Sequence, residues 1–170
     1  SFVLKKMIMM DVCMLAALHT LRIIAGALAV GAQWSFWLLA FSMFFFLSLA
    51  IAKRVSELEN VKRENKVNPS ARGYEISDIS MLTSAGIASG YISILVIALY
   101  INSMKVVSIY NIPEILWLIC PLLLYWIGRL WIITSRGEMH EDPIIFGLRD
   151  YTSILVLACI AGVFYVAVSV

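Results

Sequence analysis

Lys53, Arg54 and Glu57 are the residues of this chain whose types and spacing best suit chemistry, and they close a long apolar run in the stretch Ala52-Lys53-Arg54-Val55-Ser56-Glu57-Leu58-Glu59-Asn60. Two adjacent cations can grip phosphate oxygens, the guanidinium as a bidentate fork and the ammonium as a point charge. A carboxylate one helical turn away can hold a divalent ion or position a nucleophile. Lys53 and Glu57 are therefore the candidate catalytic groups, with Glu57 the candidate metal ligand. The same spacing also describes a surface i,i+4 ion pair between Lys53 and Glu57, worth at most about half a kcal/mol.

Arg22 is the second candidate. Asp11, Leu15, Leu18 and Arg22 recur at offsets of 4, 7 and 11, which places them on one helical face, with Gly26 continuing it and His19 beside it. Arg22 lies about three turns into an apolar run, where a charge costs a few kcal/mol and faces a cavity or a partner. It can reach a phosphate at the floor of a cavity, or pair with a carboxylate on another helix. Further along, Arg136-Gly137-Glu138-Met139-His140-Glu141-Asp142-Pro143 and Leu148-Arg149-Asp150 form a polar loop. His140, Glu141, Asp142, Arg149 and Asp150 are its candidates for shaping a cavity. Few carboxylates beside substrate phosphates suit Mg²⁺ better than zinc, and a solvated loop with a helix-starting proline is the alternative reading.

The elements that position these residues belong in a membrane. The chain is 62% hydrophobic and 14% charged, with a mean hydropathy of +0.91, outside the range of soluble globular domains. Five windows reach the roughly 20 apolar residues a spanning helix needs: 7–31, 35–52, 79–101, 113–134 and 151–170. Continuous runs of this length pair their backbone groups only as helices, so the expected class is an all-α polytopic bundle, not a β-barrel. Segments 53–78 and 135–150 are then loops on one side, and ten of the 13 Lys and Arg fall on that side, only Lys105 on the other. By the positive-inside rule that side is cytoplasmic, as expected of a bacterial-type cytoplasmic membrane.

Residues 65–73 carry turn chemistry suited to a mobile lid, and Ser77 or Asp78 can cap the next helix. Gly86 and Gly90 form the small-residue pattern of close helix packing. Pro121 predicts a kink near Trp117. Cys13, Cys120 and Cys159 sit in apolar runs with neither zinc nor disulfide spacing, and read as packing residues. A net charge of +2, dispersed, argues against nucleic acid as a partner. Nothing near the start reads as a removable signal peptide, and an opening at Ser1 reads as a piece of a longer protein.

Thr20-Leu21-Arg22-Ile23-Ile24-Ala25-Gly26, Ser35-Phe36-Trp37-Leu38-Leu39 leading into Ala52-Lys53-Arg54-Val55-Ser56-Glu57-Leu58, and Gly137-Glu138-Met139-His140-Glu141-Asp142-Pro143 with Leu148-Arg149-Asp150 together resemble the C-terminal half of UbiA-type membrane prenyltransferases. The branch that the chain looks like comprises decaprenyl-phosphate phosphoribosyltransferase and the prenyltransferases fused to a phosphatase-like domain. The resemblance implies the last five helices of a nine-helix bundle, a cavity opening to cytoplasm and lipid, and Mg²⁺ as cofactor. The first Asp-rich motif would lie in an N-terminal half of the same protein, so this portion alone is expected to be inactive. Where ordinary members carry an aspartate pair, this chain has Lys53-Arg54-x-x-Glu57, which favours phosphate ligation by Arg22, Lys53 and Arg54. The expected substrate is a polyprenyl phosphate or diphosphate, with phosphoribosyl diphosphate as a candidate donor. A non-enzymatic membrane transport or assembly subunit is the competing expectation.

Overall fold

The computed structural model describes residues 9–31, 35–63, 73–139 and 142–169, which are helical with no strand among them. Seven α-helices follow in order: α1 (Met10–Ala29), α2 (Phe36–Arg63), α3 (Ile79–Ile101), the short α4 (Met104–Ile109), α5 (Ile119–Ser135), the short α6 (Pro143–Arg149) and α7 (Tyr151–Ser169). Five stretches are long and apolar enough to cross a membrane: Met10–Ala29, Phe36–Arg63, Ile76–Ile101, Pro113–Ser135 and Tyr151–Ser169. The expected all-α polytopic architecture is thus present.

α2 is the central element, packed on α1, α3, α5 and α6. It does not stop at Ala52, where its apolar run ends. Residues 53–63 continue the helix instead of opening a loop, because Leu, Glu, Lys and Arg are strong helix formers and Val55 and Leu58 are fully buried, holding the last turns on the core. The candidate residues therefore stand on a rigid helix. The loop 135–150 likewise contains α6, and the outer connection contains α4.

Close approach of α3 to its neighbours rests on Gly86 and Gly90. A Cβ on Gly86 would lie 2.1 Å from the Trp131 ring, and one on Gly90 would lie 2.8 Å from Ile127. Ser48 locks the same junction, donating to the Gly86 carbonyl at 2.7 Å and accepting from Trp131 Nε1 at 3.1 Å. The expected kink near Trp117 takes the form of a 3₁₀ helix, Pro113–Leu118, that gives way to α5, since Pro121 has no N–H to offer the Trp117 carbonyl. Ahead of α3, Asp78 accepts from the Glu75 backbone N–H at 2.9 Å and closes the 3₁₀ turn Ile76–Asp78. The three cysteines are free, Cys120 buried and Cys159 exposed.

Polar contacts gather at one end of the bundle, joining the start of α1, the end of α2, Tyr74, and both ends of α6. At the opposite end, the Asn111 backbone and side chain donate to the Ala167 and Val168 carbonyls at 3.1 and 3.0 Å, supplying partners to the unpaired last turn of α7.

Candidate functional site

Lys53 and Arg54 are successive residues of α2, so they point about 100° apart and meet different neighbours. Arg54 turns inward, and only 5% of its side chain is exposed. Its two terminal nitrogens are taken by carboxylates: Nη2 bonds Asp11 at 2.5 Å, and Nη1 bonds Glu57. Tyr74, also fully buried, lies beneath the guanidinium with its ring 5.4 Å away. Its hydroxyl donates to Asp11 at 2.5 Å and accepts from the Met9 backbone N–H at 2.9 Å. Burial first, and then the hydrogen bond to Asp11, push the Tyr74 phenol up to about 12, so it remains a donor across the physiological range. Arg54, Asp11 and Tyr74 form one buried network, with the part-exposed Glu57 at its edge, tying α1 and the segment before α3 to the end of α2.

Lys53 points to α6. Its ammonium bonds Asp142 Oδ2 at 2.5 Å, and 38% of its side chain is exposed. The expected Lys53–Glu57 pair is therefore replaced by two others, Lys53–Asp142 and Arg54–Glu57. Asp142 also caps α6, accepting from the Ile144 backbone N–H at 3.1 Å. Burial alone would raise the Asp142 carboxyl. The hydrogen bonds from Lys53 and Ile144, and the charges of Lys53 and His19, outweigh it and hold the group below its ordinary 3.8.

Beside this pair lies a cavity of about 60 Å³ walled by Leu15, His19, Phe46, Leu49, Ala50 and Ile144, with Lys53 and Asp142 at its polar side. It holds water-sized groups rather than a hydrocarbon chain. His19 stacks on Phe46 at 5.0 Å. Its Nδ1 lies 2.8 Å from the Leu15 carbonyl; a carbonyl only accepts, so Nδ1 carries the proton.

The other candidates are dispersed. Arg22 is exposed and does not line the cavity. The buried stripe of α1 is Val12, Ala16 and Thr20, and Arg22 lies about 120° around the helix from Ala16. It is not the floor of this cavity, and it makes no ion pair among the described residues. His140 and Glu141 lie outside the described residues, as does most of the expected lid. Arg149 is on the exposed side of α6.

Asp150 serves α7: its carboxylate accepts from the Ser153 backbone N–H at 2.9 Å and holds Arg129 through bonds of 2.7 and 3.0 Å. Burial again works to raise its carboxyl, and the bonds from Arg129 and Ser153 outweigh it. No three His, Cys, Asp or Glu side chains among the described residues form a metal-holding group. Glu57 gives its carboxylate to Arg54 and Asp142 gives its own to Lys53, so this arrangement does not by itself fit Mg²⁺.

Sequence reasoning missed Tyr74 and the Arg129–Asp150 pair. Neither has a helical spacing to its partner, being 63 and 21 residues apart in sequence. His19 carried a usable signal, since it follows Asp11 and Leu15 at steps of four.

No protein-family model matches the chain, and no solved structure matches it. It is similar to the uncharacterized protein y4nM of Sinorhizobium fredii, with 38% identity over 169 residues, covering 98% of this chain and 33% of that protein. It is also similar to the nodulation protein NoeC of Azorhizobium caulinodans, with 33% identity over 156 residues, covering 90% of this chain and 49% of NoeC. The chain thus spans about a third to a half of the length of these curated relatives.

The depressed Asp142 carboxyl has a consequence for stability. A group whose folded value lies below its unfolded one stabilises the fold fully above the unfolded value, and the stabilisation is lost as pH falls through the folded one. The Lys53–Asp142 contact should therefore hold at neutral pH and fade below the ordinary 3.8. Melting of detergent-purified protein should show an acid-dependent component that Asp142→Asn removes.

Proposed function

We propose that the chain is part of a membrane transferase that handles a polyprenyl phosphate or diphosphate, with its polar end at the cytoplasmic face of a bacterial membrane. The observation that carries the reading is Lys53, a half-buried ammonium where the apolar run of α2 ends, beside a small cavity that admits a water-sized group such as one phosphate oxygen. Lys53 has three N–H donors and spends one on Asp142, which leaves two for phosphate oxygens. Asp142, which lines the same cavity, holds the ammonium there.

In transfer from a phosphoribosyl diphosphate donor, a lipid phosphate oxygen forms the new bond to the anomeric carbon and the bond to diphosphate breaks. The negative charge that develops on the leaving diphosphate is what Lys53 would stabilise. The lipid phosphate is already ionised, so no general base is required. Arg54 and Glu57, closed on one another, act here as positioning residues. Mg²⁺ and the first Asp-rich motif would come with the diphosphate and with the rest of the full-length protein. The gathering of most Lys and Arg on one side supports the orientation.

The test is turnover of polyprenyl phosphate with phosphoribosyl diphosphate by the full-length protein. Lys53→Ala should lower kcat by about 100-fold or more, the usual effect of removing one charge-stabilising donor, with the melting temperature little changed. Normal turnover by this variant would sink the reading. The pairing of Arg54 and Asp142 with opposite charges also suits a transport or assembly subunit, which solute flux in proteoliposomes without a lipid product would favour.

A further inference from the structure

Arg22 stands where a lone charge is costly. It follows Met10, the first residue of α1, by twelve positions and precedes Ala29, the last, by seven, about 18 and 10 Å along the axis. Its side chain is exposed and has no ion-pair partner among the described residues. A helical side chain leans toward the N-terminus of its own helix, so Arg22 leans toward the middle of the membrane. Water at the nearer end of α1 lies against that lean.

The face around Arg22 is uncovered. Leu18, Arg22, Gly26 and Ala29 follow one another at steps of four, four and three, all exposed, and share one side of the helix. The buried stripe Val12, Ala16 and Thr20 points elsewhere, and α2 is the one helix among the described residues that α1 packs against along its length. A Cβ on Gly26 would meet nothing within 4 Å. Gly26 and Ala29 thus leave room for the backbone of another helix to come close beside Arg22.

We propose that this face of α1 docks a membrane helix carrying a carboxylate opposite Arg22, supplied by the part of the full-length protein outside these 170 residues. A charge at membrane depth faces a water-filled cavity or pairs with an opposite charge, and Arg22 does not line the cavity beside Lys53. A second copy of this chain does not fit. No Asp or Glu occurs within residues 12–29, 36–52, 79–101, 115–135 or 151–169, and copies related by closed symmetry in one membrane hold each residue at the same depth. The region shared with the curated relatives is 33% of y4nM and 49% of NoeC, so proteins of this kind have the length to supply further helices. The pairing is independent of the transferase reading.

Photo-crosslinking of the full-length protein in its membrane, through Leu18→p-benzoylphenylalanine with Arg22 intact, tests this. The label should join α1 to a membrane helix of the same polypeptide, outside residues 1–170 and bearing an Asp or Glu. Label found only on lipid, on a second copy or on a separate protein overturns the proposal. Arg22→Leu should lower the melting temperature of the purified full-length protein by several degrees, because it strands the facing carboxylate. An arginine facing lipid would give the opposite sign, so unchanged or raised melting also overturns the proposal. Neutralising the carboxylate of the crosslinked helix, Asp→Asn or Glu→Gln, should restore part of what Arg22→Leu loses, and additive losses would show that the two do not pair. None of these readouts depends on transferase activity.

Discussion

Gly86→Leu should cost the bundle about 3 kcal/mol or more, the upper range for forcing bulk into a packed core. The reason is local and rigid. A Cβ at position 86 would already sit 2.1 Å from Trp131 Cζ2 and 3.1 Å from Ile51 Cγ2. Trp131 cannot swing away cheaply, since it is 3% exposed and its indole N–H is bonded to Ser48. Ser48 in turn bonds the Gly86 carbonyl, so displacing α3 leaves the buried Ser48 hydroxyl short of its acceptor, at a cost of about 1–3 kcal/mol. Thermal melting in detergent should show the loss. Gly128→Leu, on an open face of α5, is the control and should melt near the wild type. Combining Gly86→Ala with Trp131→Leu should cost less than the sum of the two single changes, because the residues are in contact. Additive losses would mean that the Gly86–Trp131 contact does not set the packing.

The Gly86 junction was legible in the sequence because small residues four apart have one dominant use in a membrane helix. Helix positions were legible for a similar reason, apolar length being a strong constraint in lipid. The end of α2 was not. Hydropathy falls at Lys53, yet helix propensity does not, and the buried Val55 and Leu58 carry the helix ten residues further. By helical spacing alone, Lys53, Arg54 and Glu57 look like neighbours sharing one task. On a rigid helix, one residue of rotation sends Arg54 to the core and Lys53 to α6, and their carboxylate partners come from positions 11 and 142. Sequence spacing reports partners on the same helix and is silent on those that tertiary packing delivers. Arg22 shows the converse: it shares the nominal face of Asp11, but the buried stripe of α1 runs through Val12, Ala16 and Thr20 instead.

Arg54→Met should be the most costly single change at the polar end, with an expected loss of about 3–5 kcal/mol, the usual effect of removing one partner of a buried ion pair. The side chains of Arg54 and Asp11 are only 5% and 9% exposed, so Asp11 would be stranded without a cation. Glu57, 38% exposed, can turn to water. Asp11→Asn preserves an oxygen for the Tyr74 hydroxyl, so the double variant Arg54→Met with Asp11→Asn removes both charges without orphaning Tyr74. It should recover much of the stability, because a buried pair replaced by neutral groups is often near neutral. The same double variant separates the two roles open to Arg54. If its guanidinium gripped a substrate phosphate, the refolded double variant would lose turnover as severely as Lys53→Ala. With both terminal nitrogens of Arg54 committed to carboxylates, the expected result is a protein that melts near the wild type, keeps most of its turnover, and still depends on Lys53.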